Sequence, residues 1–195
     1  MSERTIWENG IMTITAAPWT SDPSHVGVRV RLVQVPRDVL DALADGDLDK
    51  ARSLTDLDLT PYLTTAECRG LWLRRRRQIA RDAAEAPWVT RLVVDAKTGA
   101  VVGRAGFHGQ PDATGMVEVG YSIDPMCRRR GYARASLVTL IDAARRDPRV
   151  NTVRASIRPD NVPSRNLVDQ YGFRVVGEQW DEEDGLETVL ELNLR

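Results

Sequence analysis

The stretch Glu118–Ala133, EVGYSIDPMCRRRGYA, constrains this chain more than any other. It reads as a strand that breaks at Asp124-Pro125 and re-enters order as a helix from about Tyr132. Between strand and helix lies Arg128-Arg129-Arg130-Gly131-Tyr132-Ala133. A helix start leaves several N–H groups without intrahelical partners and carries a partial positive charge, which suits an anion. Gly131 and Ala133 are small enough to let a phosphate approach the backbone, and the arginines add donors suited to a pyrophosphate.

The segments on either side read as one α/β domain. Gly27 to Val35 alternates, with Val28, Val30 and Leu32 opposite Arg29 and Arg31, as a half-exposed strand does. Pro36 then opens a short helix, Arg37 to Ala44, stopped by Asp45-Gly46-Asp47. The run from Asp47 to Leu59 suggests turns or a broken helix. Thr64-Thr65-Ala66-Glu67 caps a longer helix to about Ala84, with Leu71, Trp72, Ile79 and Ala83 as its buried stripe. Three strands follow, Trp88 to Asp95, Val101 to His108 and Met116 to Asp124, the first two joined by Lys97-Thr98-Gly99. A helix from Tyr132 to Arg146 carries the chain to Thr152–Ile157, a strand expected to run parallel to Met116–Asp124. Asp160-Asn161 begins another helix, and Phe173 to Gln179 and Glu187 to Leu194 complete a mixed sheet. Residues 1–25, with Trp7 and Trp19, show no sustained period and read as an N-terminal extension packed on a domain spanning 26–195.

Charge argues against two partners. The 27 basic residues are offset by 28 acidic ones, so no global field draws the chain to nucleic acid or to an anionic membrane. Arg74 to Arg77 accordingly read as a solvated, salt-bridged helix turn rather than a nucleic-acid patch. No apolar run approaches the length of a membrane span, and no basic-then-apolar leader opens the sequence. Cys68 and Cys127 lie far apart and form no metal-ligand spacing; together with the missing leader they point to the cytoplasm.

Arg128, Gly131 and Ala133 stand in the order and spacing of the acyl-CoA-binding motif Gln/Arg-x-x-Gly-x-Gly/Ala. With EVGYSIDP before it and Asn161-Val162-Pro163-Ser164 and Tyr171-Gly172-Phe173 after it, the chain resembles the GCN5-related N-acetyltransferases. The likeness is to the branch typified by ribosomal-protein N-terminal acetyltransferases, and it covers roughly Trp88 to Leu194. It implies a GNAT-like acyl-CoA N-acyltransferase fold whose central parallel strands splay around the pantetheine arm. It implies an acyltransferase that moves an acetyl group from acetyl-CoA, as cosubstrate, to a primary amine by direct attack in a ternary complex, without a metal. The acceptor would be a small molecule or a protein N-terminus, and a homodimer is compatible with the family. The alternative kept open is a non-catalytic acyl-CoA-binding sensor or interaction module.

Acetyl transfer needs a base for an amine whose free pKa is near ~10. Glu118 is the candidate: it shares a strand face with Gly120 and Ser122, whose small side chains leave space for a ligand, and partial burial would raise its pKa. Related enzymes with a Glu-x-Gly-Tyr strand use that glutamate. His108, beside a glycine at a strand end, is an alternative base, although a histidine in a turn is more often only surface. By resemblance, Arg128, Arg129, Arg130, Gly131, Tyr132 and Ala133 would bind the pyrophosphate and the strand ending at Ile123 would pair with the pantetheine amides. Asn161 reads as a helix cap that, by resemblance, also bonds the pantetheine arm. Ser164 occupies the place of the serine proposed to protonate the leaving thiolate. The tyrosine that many family members carry seven residues after the asparagine is Val168 here. The acidic run Trp180–Asp184 is either a solvated hairpin tip or a lure for a cationic amine.

Overall fold

Alternation and helix punctuation together produce an eight-stranded sheet with helices packed against both of its faces. The structure, a computed structural model, describes residues 7–8, 11–12, 17–20 and 27–195. Two short pairs come first: β1 (Trp7–Glu8) with β2 (Ile11–Met12), and β3 (Trp19–Thr20), which joins the main sheet beside β4 (Val30–Val33). Then follow α1 (Arg37–Asp45), α2 (Leu48–Ser53) and α3 (Ala66–Arg81), β5 (Arg91–Asp95), β6 (Val101–Phe107) and β7 (Met116–Ile123). The chain closes with α4 (Tyr132–Arg146), β8 (Thr152–Ile157), α5 (Val162–Asp169), β9 (Arg174–Asp181) and β10 (Gly185–Asn193). Strand order is β3-β4-β5-β6-β7-β8-β10-β9, antiparallel except for β7 with β8. No helix among the described residues is long and apolar enough to cross a membrane.

Each face has its own core. Leu92 and Val94 of β5 meet α1, α2 and α3, where Trp72 is fully buried and donates its indole N–H to the Leu63 carbonyl at 2.9 Å. Val93 faces the other way, into the core that Leu137, Leu140 and Ile141 of α4 build and that Leu167 and Val168 of α5 extend beside β8. β5 is buried along its whole length because both of its faces are covered.

Local signals set most boundaries. Gly46, left-handed at φ 80°, ends α1 with its N–H on the Ala42 and Leu43 carbonyls. The ambiguous run after Asp47 resolves into α2, capped by the Asp47 carboxylate on the Lys50 N–H at 2.9 Å. The helix expected to reach Ala84 stops at Arg81, because the Asp82 side chain accepts from the Ala84 N–H and starts a separate 3-10 turn. Its buried stripe is Cys68, Trp72 and Arg75, whereas Leu71 and Ile79 are half-buried and Ala83 is exposed. The strand expected from Trp88 begins only at Arg91; Trp88 sits in the preceding turn, packed on Phe107 at 5.6 Å.

Trp19 also packs on Phe107, with ring centroids 5.4 Å apart, and the buried Arg91 guanidinium lies 3.7 Å from its ring centroid. The expected boundary between residues 25 and 26 falls outside the described residues, as does His25.

Candidate active site

The parallel pairing of β7 with β8 covers three residues only, Met116↔Thr152, Val117↔Val153 and Glu118↔Arg154. Beyond Glu118 the strands part: β7 continues against β6 and β8 against β10. Antiparallel pairing alternates, so the backbone groups of Tyr121 and Ile123 point away from β6 and into this gap. Arg128 reaches back from the following turn and donates from Nε to the Ile123 carbonyl at 3.1 Å. A carbonyl has two lone pairs, so that oxygen can still accept from a ligand.

The turn at the gap's mouth is shaped by two left-handed residues, Arg129 at φ 62° and Gly131 at φ 88°. Glycine adopts such a φ freely, and Gly131 as N-cap contributes no side chain to the first turn of α4. The N–H groups of Tyr132, Ala133 and Arg134 therefore remain available to an anion. Arg129 and Arg130 are exposed, and no hydrogen bond or ion pair holds their side chains among the described residues. Tyr132 is different. Its hydroxyl donates to Asp95 at 2.6 Å, a bond that raises the phenol pKa to about 12, so only its backbone faces the turn.

Glu118 lies at the point of divergence with its side chain 19% exposed. The space expected beside its small neighbours is taken by protein. His108 lies over Gly120, where a β-carbon would come within 2.9 Å of Nε2. Ser122 accepts from the Tyr62 hydroxyl at 2.7 Å, and burial raises that phenol to about 12, so it stays a donor. His108 Nδ1 stands 3.7 Å from Glu118 Oε1, and the His108 N–H donates to the Glu118 carbonyl at 2.7 Å.

Beneath His108 lies a residue that sequence reasoning placed in solvent. Arg75 is buried, donating to Thr90 Oγ1 at 3.1 Å, Gln78 Oε1 at 2.7 Å and the His108 carbonyl at 2.9 Å. Burial lowers its pKa to about 10, which still leaves it a cation at neutral pH. The signal that could have found it is helical phase: positions 68, 72 and 75 share one face, and three of the four arginines fall elsewhere. Glu187, buried and held by Gln179 at 3.0 Å, adds a second carboxylate; burial raises its pKa, and Glu118 adds to the rise.

On the opposite wall, Asn161 caps α5 by accepting the Ser164 N–H at 3.2 Å, which leaves its amide NH₂ free for a second task. Val168 is fully buried. Tyr171 takes a hydrogen bond from Arg134 at 3.1 Å. The Tyr121 hydroxyl is buried without a hydrogen-bond partner. Burial raises its pKa while the Ser164 hydroxyl pulls the other way, although the two do not reach hydrogen-bond geometry. The acids of the β9–β10 tip are partly committed: Glu183 pairs with Arg74 of α3 at 2.6 Å and Asp184 with Arg158 at 3.8 Å. No group of three or more His, Cys, Asp or Glu among the described residues could hold a metal ion.

A family model described as an acetyltransferase (GNAT) domain matches residues 29–174. The uncharacterized N-acetyltransferase YjdG of Bacillus subtilis is 32% identical over 82 residues, which are 42% of this chain and 49% of that protein, so the chain spans about half the length of this relative. Among solved structures, RimL, a ribosomal L7/L12 alpha-N-protein acetyltransferase in complex with coenzyme A, superposes with a TM-score of 0.60 at 17% identity, over 89% of this chain and 97% of that one. Mycobacterium smegmatis RimJ in complex with CoA-disulfide gives 0.57 at 17% identity, over 92% and 86%.

Proposed function

This chain belongs to the GNAT acetyltransferase family, and from that premise we propose that it transfers the acetyl group of acetyl-CoA to a primary amine. The observation that carries this reading is the parallel pair that ends at Glu118↔Arg154, with the uncapped start of α4 at its mouth. Such a gap accepts an extended amide-bearing arm, and the turn accepts the arm's phosphates. The fit is good: donors are available from the Tyr132, Ala133 and Arg134 N–H groups, Arg129 and Arg130 have uncommitted side chains, and Ile123 offers backbone groups to the gap.

Acetyl-CoA, when bound, supplies the activated thioester. The protein's own residues do the rest. Glu118 takes the proton that the attacking ammonium must lose, and the amine and thioester meet in one ternary complex. The Asn161 NH₂ holds a carbonyl of the arm while its oxygen keeps the α5 cap. The Ser164 hydroxyl, half-buried in the first turn of α5, donates toward the departing sulfur in place of the tyrosine that Val168 replaces. The acceptor is an amine of a small molecule or a protein N-terminus, favoured as a cation by Glu118, Glu187 and Asp181. We place the reaction in the cytoplasm, where thiols such as the free Cys68 and Cys127 stay reduced.

The test is thiol release from acetyl-CoA across a panel of amines, with CoA binding measured in parallel. Release with at least one amine supports transfer. Tight CoA binding with no release for any amine would instead establish a non-catalytic sensor.

A further inference from the structure

We propose that His108 is the outlet through which the proton collected by Glu118 reaches solvent, and that Arg75 is the residue that positions it. The inference rests on reading Glu118 as the base. It starts from a difference in exposure: the Glu118 side chain is 19% exposed and that of His108 52%. A base enclosed to that degree must discard its proton before the next turnover, and among the described residues His108 is the titratable side chain at ion-pair distance from it that also reaches water.

The residue is held in place on three sides. Arg75 Nη1 and Gln78 Nε2 both donate to its carbonyl, at 2.9 and 2.8 Å, and its own N–H donates to the Glu118 carbonyl at 2.7 Å. The ring then projects across Gly120, with Nδ1 turned to Glu118 Oε1 at 3.7 Å. That separation needs to close by only a few tenths of an ångström to become a hydrogen bond. Any side chain at position 120 would push the imidazole off this line.

The charged groups facing the ring are Glu118 from β7, Arg75 and Arg74 from α3, and Asp181 from β9. Although half of the side chain reaches water, the protein packed around the rest lowers the imidazole pKa most, the two arginines act in the same sense, and the two acids oppose them. The ring is therefore neutral at neutral pH and free to accept. In the step itself the ammonium N–H breaks as a Glu118 O–H forms. That O–H then breaks as Nδ1 gains the proton, and Nε2–H is released to water. Exchange with solvent restores the starting tautomer, and no electrons change hands.

The experiment measures kcat in dilute buffer for His108→Ala and His108→Gln, with and without added imidazole. Both variants should lose about tenfold in kcat at unchanged KM for acetyl-CoA, and imidazole, but not an equal ionic strength of sodium chloride, should restore His108→Ala. Arg75→Gln should move the acid limb of the pH–rate profile to higher pH, because one of the cations holding the imidazole down is gone. Full activity of both His108 variants in dilute buffer, or a loss that imidazole leaves in place, overturns the outlet; an unmoved acid limb removes Arg75. Glu118→Gln run alongside separates the two levels. If it turns over normally, the base reading itself has failed; if it is impaired while His108→Ala is not, only the outlet has.

Discussion

In the turn Arg128–Ala133 the groups we propose to hold the phosphates are backbone N–H donors, presented by two left-handed residues two positions apart in the sequence. Around Glu118 the groups are side chains brought together from β7, α3 and the residue that follows β6, so that Arg75 meets a carbonyl 33 positions away. The turn needs only its own few residues to be correct. The Glu118 face needs the sheet, the helix phase and Gly120 to be correct at once. A binding surface built from backbone tolerates side-chain change, whereas a proton-handling surface built from interlocked side chains does not.

Substitutions on the two regions should therefore separate binding from turnover. The largest effect is expected at Glu118: Glu118→Gln should lower kcat by about 10²-fold or more while the Kd for CoA stays within about twofold, measured by steady-state kinetics and calorimetry. Equal losses in both would merge the two regions into one. Next comes Gly131→Val, which forces a branched residue to φ 88° at a cost of about 1–2 kcal/mol. Its Kd for CoA should weaken by about 5–30-fold, and kcat at saturating acetyl-CoA should fall far less.

Tyr132→Phe sharpens the contrast inside the turn itself, since its hydroxyl serves the fold. The hydrogen bond from Tyr132 is the largest influence holding Asp95 below the usual carboxylate range. A depressed carboxyl contributes stability that is present above its unfolded pKa near ~3.9 and is lost as pH falls through the folded value. The variant should thus be about 1 kcal/mol less stable at neutral pH, with the gap closing in acid, as followed by denaturant melts. The smallest effect belongs to Tyr121→Phe: removing a buried hydroxyl that lacks a partner should leave stability unchanged or raise it by up to about 1 kcal/mol. A clear loss would show that this hydroxyl does find a partner.

The same contrast explains what the sequence disclosed. Tyr132–Arg146 and Thr152–Ile157 are legible to the residue because Gly131, Asp147-Pro148 and strand alternation are local signals. The parallel crossover follows from them. Arg75 was hidden because four identical arginines look alike until the helix phase is fixed by Cys68 and Trp72. His108 was legible as an alternative base, but its place over Gly120 was not: Gly120 reads as open space in a strand, and only the folded register of β6 on β7 shows whose ring occupies it. Local rules see a vacancy there because the occupant is supplied by the neighbouring strand.

Ending the β7–β8 ladder after three residues has a further outcome for the molecule without a ligand. It leaves an unzipped seam at the centre of the sheet, where amides lack the partners that protect them from hydrogen exchange elsewhere in a β-structure. A ligand that fills the seam acts as a missing strand, and at a concentration of 100 times its Kd it adds about 2.7 kcal/mol of stability by mass action alone. A rise in melting temperature is thus a direct readout of occupancy, set by the same short register that places Glu118 at the fork.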